Sequence, residues 1–358
     1  MRAPLLFLIG LAATALLIPA LARVAPKLGL LDHPGGRKDH GAAVPLVGGL
    51  AMGAVFLACF GIFREAGEVS LWFGAAVGIM LLCGTLDDHR EIGSLPKFGF
   101  QIVAAWLLVQ FGGATLSHLG DLVSAERLDL GAAAMPFTVF AVVGVMNAIN
   151  MADGIDGLAG GLALVAVAWF GAAAWYVGAG SVFWVVCLLA GQLIAFLAFN
   201  APLPHRPRAR VFMGDAGSYF LGLVLAWLAI RLSMQERAAI APIAAVWILG
   251  IPLADAVALM LRRVLRGRSP FRPDTEHLHH LLQLCGLSKA GAAVVMLAIS
   301  IAMGAIGLAA ERADVPDFVM FYIYGTLWIV YYIVTSSISR TARRTADRAG
   351  HRSRLSAP

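Results

Sequence analysis

The chain has 358 residues, of which 60% are apolar and only 13% are charged, and its mean hydropathy is +0.82. This composition excludes an ordinary water-soluble globular protein and indicates an integral membrane protein. The apolar runs are continuous rather than alternating, which excludes a membrane β-barrel, and the longest segment between them, 262–289, is too short for a soluble domain with its own core.

The apolar runs predict the membrane-spanning segments, because a helix needs about 20 apolar residues to cross the bilayer core. The stretch 157–205 contains no Asp, Glu, Lys or Arg and predicts two spans with a turn near Gly178–Gly180. Nine further spans are predicted at 4–22, 45–63, 69–86, 98–120, 130–152, 216–230, 238–254, 290–310 and 318–339. We therefore expect an all-α polytopic protein with about eleven transmembrane helices, in which 1–339 form one domain and 340–358 a basic tail.

The distribution of Lys and Arg predicts the orientation. The segments 23–44, 87–97, 150–157, 201–214, 262–289 and 340–358 share one side in this scheme, and they hold 21 of the 27 basic residues. Cytoplasmic loops carry such an excess, so the N-terminus is expected in the periplasm and the C-terminus in the cytoplasm. A secretory signal peptide ending at Ala22 is the alternative for the first span, but most of its flanking positive charge follows the apolar run rather than preceding it.

The excess of basic residues gives a pI near 9.4. The orientation of the chain in the membrane explains this excess, so no nucleic-acid partner is predicted. The Arg-rich tail is interpreted as an anchor to anionic lipid head groups. The oligomeric state is left open, with a homodimer as one expectation.

Nearly all polar clusters fall on the cytoplasmic side. Asp87 and Asp88 end the third span, where adjacent carboxylates repel each other and face the unfavourable end of the helix dipole. A solvated helix end is the alternative, but a cation or metal would relieve both costs, which favours a functional site.

Two further acidic motifs follow. Asn150, Asp153 and Asp156 lie between two spans in a glycine-rich loop without Lys or Arg; turn chemistry is the alternative to ligand binding. Asp215 begins the eighth span after Arg210, between Gly214 and Gly217. It could be only a helix cap, but the glycines and arginines favour an anion-plus-metal site.

A histidine cluster follows the ninth span. His277, His279 and His280 stand close to Arg272 in a basic segment. Structural zinc is the alternative, but no Cys or further His has zinc-finger spacing. The favoured interpretation is that this cluster belongs to a loop that binds a substrate with several negative charges.

The order and spacing of five motifs over residues 23–340 resemble the polyprenyl-phosphate N-acetylhexosamine-1-phosphate transferases. The motifs are Asp32-x-Pro34 with Arg37-Lys38-x-His40 and Pro45-x-x-Gly-Gly49; Asp87-Asp88; Asn150-Met-x-Asp153-Gly-x-Asp156-Gly157; Val211-Phe-Met-Gly-Asp-Ala-Gly-Ser218; and His277-x-His-His280. The stretch from Trp247 through Asp274 to His280 is similar to the branch that starts O-antigen or related polysaccharide synthesis.

The resemblance implies transfer of GlcNAc-1-phosphate from UDP-GlcNAc to undecaprenyl phosphate, with Mg²⁺ or Mn²⁺ as cofactor, giving undecaprenyl-diphosphate-GlcNAc and UMP. It also implies a bacterial inner membrane location with the active site on the cytoplasmic face. The same chemistry with another UDP-N-acetylhexosamine or with UDP-MurNAc-pentapeptide is the alternative. A transporter is a distant alternative, because no internal repeat is found and no midspan acid apart from Asp255, which lies near the inner end of a span.

Within this resemblance, Asp215 is the expected metal ligand, with Asp153 and Asp156. Asp87 is expected to deprotonate or orient the acceptor phosphate, with Asp88 and Lys97 placing it. The remaining expected substrate-binding residues are Lys38, Asn150, Asn200, Arg210, Arg272, His277, His279 and His280. Whether transfer takes one step or passes through a covalent intermediate is left open.

The charge distribution generates a direct test of topology. We expect a reporter fused after Pro358 to be cytoplasmic and one inserted at Gly120 to be periplasmic, because the intervening segments contain an odd number of predicted spans. Paired alkaline phosphatase and green fluorescent protein fusions measure this. Both reporters on the same side would refute the eleven-span scheme.

Overall fold

The computed structural model describes residues 2–33, 43–63, 69–123, 126–202, 206–234, 238–269 and 276–355. Lys38 and Arg272 lie outside these ranges. Two short antiparallel strands, β1 (Leu31–Asp32) and β2 (Val44–Pro45), and a 3₁₀ helix at Gly131–Ala133 accompany thirteen α-helices in the described residues. The helices are α1 Arg2–Leu28, α2 Gly48–Phe63, α3 Leu71–Arg90, α4 Ser94–Gln110, α5 Ala134–Ala152, α6 Leu158–Val177, α7 Gly180–Asn200, α8 Gly214–Ser233, α9 Pro242–Ile248, α10 Gly250–Leu265, α11 Leu278–Leu284, α12 Lys289–Arg312 and α13 Asp317–Leu355.

The expected all-α, multi-pass architecture is confirmed. Eight helices of the described chain are long and apolar enough to cross a membrane, and the pair α9 and α10 makes nine if it forms one broken span. The turn predicted at Gly178–Gly180 lies between α6 and α7, where Gly178 has a φ of 70°. Eleven spans would require that α2 and α4, of 16 and 17 residues, also cross. The total number and the orientation stay predictions.

The span predicted at 98–120 is wrong at its C-terminal end. Helix α4 stops at Gln110, and Gly113 follows with a φ of 66°. In the loop that follows, the N–H of Leu119 donates to the carbonyl of Leu128 and the N–H of Leu128 donates to the carbonyl of Gly120, both at 2.9 Å. An absence of charge did not distinguish this loop from a helix, whereas paired glycines disfavour helical continuation.

The span predicted at 238–254 is also different. It consists of α9 and α10, which meet at an angle of 84°. Pro252 accounts for the break, because in a continuous helix its ring would clash with the carbonyl of Ile248 and it has no N–H to donate there. Helix α10 continues to Leu265, which places Asp255 and Arg262 inside a helix rather than beyond a span.

Helix α8 lies at the centre of the bundle, and nearly all of its residues are buried. Small residues let three other helices approach it closely. A Cβ added at Gly49 of α2 would collide with the backbone of Gly217, and one at Gly84 of α3 would collide with that of Ala216. On the far side, Gly222 packs against the backbone of Met146 in α5. Such contacts allow backbones to pack at van der Waals distance in a membrane.

The motif Pro45-x-x-Gly-Gly49 contributes to this packing. Leu46 pairs with Phe212 in a parallel bridge, and the N–H groups of Gly48 and Gly49 donate to the carbonyls of Phe212 and Met213 at 3.0 and 2.9 Å. The motif therefore fixes the backbone that leads into Asp215.

Gly84 offers a test of the close packing. We expect Gly84→Ala to lower the melting temperature of the purified protein, because the methyl group meets backbone atoms that have little freedom to move; overpacking of this kind costs about 1–3 kcal/mol. Gly78→Ala is the matched control in the same helix, since nothing lies within 4 Å of its added Cβ, and it should leave stability equal or slightly raised. Equal melting of the two variants in a fluorescence unfolding assay would contradict the packing.

Candidate functional site

Five polar side chains from four helices meet at the N-terminal end of α8. Lys97 of α4 forms an ion pair with Asp87 of α3, and its Nζ lies 3.4 Å from Oδ2 of Asp215. Asn150 of α5 donates to Oδ1 of Asp215 at 2.8 Å, and its Nδ2 is also 2.9 Å from Oγ of Ser218. The structure thus joins residues that the sequence separates by more than a hundred positions, and we call this group the acid cluster.

Asp88 caps α8 from outside that helix. Its carboxylate oxygens accept the backbone N–H groups of Asp215 at 2.8 Å and Ala216 at 3.2 Å. A carboxylate at this position also complements the positive end of the helix dipole. Gly214 is required here, since its φ is 72° and a Cβ would collide with the Asp88 carboxylate. The capping role that we considered for Asp215 therefore belongs to Asp88, and the Asp215 side chain faces the cluster instead.

Asp87 is the buried acid of the cluster. Its residue exposure is 5%, and among the described residues its Oδ1 has no hydrogen-bond partner, while Oδ2 is paired with Lys97. One lysine thus stands between two carboxylates, Asp87 and Asp215. The cluster keeps a net negative charge, and a buried carboxylate oxygen without a donor favours binding of a further cation.

The loop after α5 contributes two acids with different surroundings. Asp156 accepts the N–H of Ala209 at 2.9 Å, which ties this loop to the segment before α8. Asp153 is exposed at the surface, yet nearby protein atoms reduce its hydration. This desolvation, together with the negative charges of Asp215 and Asp156, raises the pKa of Asp153 to about 7.

Asn200 holds the same two segments together. Its Oδ1 accepts the N–H of Gly157 at 2.8 Å, and its Nδ2 donates to the carbonyl of Val211 at 2.9 Å. Both ends of the amide are therefore occupied by backbone, so Asn200 positions the loops around the site. Binding of substrate by Asn200 itself stays a prediction.

The segment that carries His277, His279 and His280, which we call the histidine segment, is fixed by an acid that sequence analysis did not assign to the site. Asp255 of α10 accepts the N–H of Leu278 at 3.0 Å and lies 3.0 Å from Nδ1 of His277. The hydroxyl of Tyr331 in α13 donates to the same carboxylate at 2.7 Å. Asp255 was noted in the sequence only as an acid near the inner end of a span; such an intramembrane acid facing a histidine-rich loop is the signal that could have found it.

His279 connects the histidine segment to the loop after α5, which carries Asp153 and Asp156 and which we call the acidic loop. Its exposure is 1%, neither ring nitrogen has a partner among the described residues, and a Cβ on Gly154 would collide with the ring. Burial, with the nearby His280 and His277, lowers the pKa of His279 to about 3. A lowered pKa favours the neutral imidazole, which can still form hydrogen bonds, and binding of the sugar phosphate by His279 stays a prediction.

The remaining predicted substrate-binding residues differ in position. Arg210 is exposed, and its guanidinium makes no ion pair within the described part of the chain. His280 packs against His279, with ring centroids 4.2 Å apart. Arg210 is thus available at the surface near α8, whereas His280 belongs to the histidine segment.

The residues present fit a hard divalent cation. In the described ranges, no group of three or more His, Cys, Asp or Glu side chains is arranged to hold a metal alone. Mg²⁺, however, is usually held by one or two carboxylates together with substrate phosphates. Asp215, Asp153 and the orphan oxygen of Asp87 are donors of this kind, so a site completed by substrate suits the cluster.

Comparisons with known proteins agree with this chemistry. A family model described as Glycosyl transferase family 4 matches residues 70–233. The undecaprenyl-phosphate alpha-N-acetylglucosaminyl 1-phosphate transferase of Escherichia coli (strain K12) is 34% identical over 346 residues, covering 94% of each chain. The proteins of the same name from Salmonella typhimurium and Haemophilus influenzae are also 34% identical, over 96% and 90% of this chain and 95% and 92% of their own. The chain therefore belongs to glycosyl transferase family 4 and, within it, to the family of the undecaprenyl-phosphate alpha-N-acetylglucosaminyl 1-phosphate transferases, as its motifs predicted.

Proposed function

We propose that this protein transfers GlcNAc-1-phosphate from UDP-GlcNAc to undecaprenyl phosphate and releases UMP. The observation that carries the proposal is the acid cluster, in which Asp215 is held between Lys97 and Asn150 beside the buried Asp87. A lipid phosphate and a nucleotide pyrophosphate repel each other, so a site that joins them must supply positive charge. Lys97 supplies part of it.

Asp215 and Asp153 are the residues that would hold Mg²⁺ or Mn²⁺. When bound, such an ion neutralises charge on the pyrophosphate and on the leaving UMP. Asp156 is a weaker candidate ligand, because one of its oxygens already accepts the Ala209 N–H. Asn150 orients the Asp215 carboxylate, and Asp88 fixes the backbone from which it projects.

Asp87 is best explained as a residue that orients Lys97 rather than as a base. A phosphate monoester has a second pKa near 6 and is mostly dianionic at pH 7, so its attack on phosphorus needs no prior proton removal. The ion pair with Asp87 keeps the Lys97 ammonium charged and in place, where it can donate to the acceptor phosphate.

His277 is proposed to contact the sugar phosphate. Asp255 engages its Nδ1, which directs the proton of a neutral ring to that nitrogen and leaves Nε2 for the substrate. His280, Arg210, Arg272 and Lys38 remain proposed anion-binding residues. We further propose that the protein lies in a bacterial inner membrane with this face in the cytoplasm, that its tail binds anionic lipids, and that it forms a homodimer.

Product analysis tests the reaction. With radiolabelled UDP-GlcNAc and undecaprenyl phosphate, we expect the label in a lipid diphosphate and UMP as the released nucleotide, because the phosphorus attacked is the one attached to the sugar. Thin-layer and ion-exchange chromatography separate the products. Release of UDP would mean glycosyl transfer and would exclude this mechanism, whereas label from another UDP-sugar alone would change only the donor.

The substitutions Asp215→Asn and Asp88→Asn should have different effects on turnover and on melting temperature. Asp215→Asn removes a charge needed for metal binding, so turnover should fall by about two to three orders of magnitude while the melting temperature is kept. In Asp88→Asn, a single amide oxygen replaces two carboxylate oxygens that accept two N–H groups, so both melting temperature and turnover should fall.

Asp129→Asn is the control for both, since its carboxylate is exposed and, among the described residues, pairs only with the exposed Arg127. Near-normal turnover of folded Asp215→Asn at saturating Mg²⁺ would remove Asp215 from the metal site. Unchanged stability of Asp88→Asn would contradict its capping of α8.

A further inference from the structure

A basic pocket of about 290 Å³ lies between α10 and α13, apart from the acid cluster. Its walls are Arg262, Leu265, Arg266, Tyr332, Ile333, Ser336 and Arg340. None of these residues has a part in the transfer chemistry proposed above. We refer to this cavity as the α10–α13 pocket.

The pocket lies where two helices reach the membrane surface. The apolar span within α13 ends at Thr341, next to Arg340, and α10 ends at Leu265, next to Arg266. Leu265 and Ile333 on its rim are exposed on the outside of the bundle, where a membrane would place lipid. The cations therefore stand at head-group depth with apolar side chains beside them.

The pocket carries excess positive charge. Arg266 donates to both oxygens of Glu276, at 2.8 and 2.7 Å, and Nε of Arg262 lies 3.7 Å from the same carboxylate. Glu276 is thus shared by the two arginines. Arg340 adds a third cation; its Nε donates to the carbonyl of Ser336 at 3.2 Å, and no carboxylate of the described residues pairs with it.

A buried hydroxyl in the pocket wall also lacks a partner. Ser336 is 7% exposed, and its Oγ makes no hydrogen bond to any described residue. Leaving a buried donor unsatisfied is unfavourable. An anionic oxygen in the pocket would satisfy this hydroxyl and the free N–H groups of Arg340 together.

We propose that the α10–α13 pocket binds the phosphodiester of an anionic glycerophospholipid, with its acyl chains along Leu265 and Ile333. Basic pockets between transmembrane helices are suited to such head groups, and the apolar rim favours a lipid over a soluble phosphate. The proposal does not depend on the transferase function, because binding is measured without turnover.

The test uses the full-length protein, delipidated in a neutral detergent. Dioleoylphosphatidylglycerol should raise the melting temperature saturably, while dioleoylphosphatidylcholine and inorganic phosphate should not. Arg340→Gln should raise the half-saturating lipid concentration about tenfold, the loss expected for charge-assisted hydrogen bonds. Ser336→Ala should shift it in the same direction by less, with the fold kept.

Arg268→Gln is the matched control, because Arg268 is exposed in the turn after α10 and does not line the pocket. It should respond to the lipid as the parent protein does. An equal loss in Arg268→Gln would show diffuse surface attraction, an equal response to inorganic phosphate would show a site not specific for lipid, and no response of the parent would show no site; each result would overturn the proposal.

Discussion

The geometry of the site depends on how closely α2, α3 and α5 approach α8. Lipid supplies no hydrophobic force between helices, so their association rests on packing and hydrogen bonds. Gly49 and Gly84 remove the side chains that would separate α2 and α3 from Gly217 and Ala216. Because α3 lies this close, the short side chain of Asp88 reaches the backbone N–H groups at the start of α8. The packing of small residues thus determines where Asp215 stands.

The electrostatics of the cluster follow from this placement. Asp88 is compensated by the N-terminal end of α8, and Asp87 by Lys97, which leaves Asp215 to share that lysine. The pKa of Asp153 is raised mainly by burial and further by the negative charges of Asp215 and Asp156. A site with this surplus of acids repels anionic substrates by itself. It becomes complementary to them when a divalent cation is shared between carboxylates and phosphates, which is the mode of binding typical of Mg²⁺.

Much of the fold could be predicted from sequence because membrane-spanning helices consist of long apolar runs. The turn at Gly178 was also predicted correctly. The break before Gly250 was missed, since hydropathy carries no information on a single proline such as Pro252. Asp87, Asp153 and Asp215 could be grouped by their common side of the membrane. The roles of Asp88 and Asp255 could not be predicted. Both residues form hydrogen bonds to the backbone of another helix, and spacing along the chain does not determine the distances on which such bonds depend.

The site is built from two parts that pack against each other. The match to the family model, 70–233, contains α3 to α8 and therefore the entire acid cluster, but it ends before the histidine segment. That segment is held by Asp255 of α10 and Tyr331 of α13, and it touches the acidic loop where His279 packs on Gly154. The phosphates of donor and acceptor are common to the chemistry, whereas the sugar differs between donors. Discrimination between sugars is therefore expected to reside in the histidine segment and the helices that hold it, since the proposed function assigns the side chains of the acid cluster to phosphate and metal.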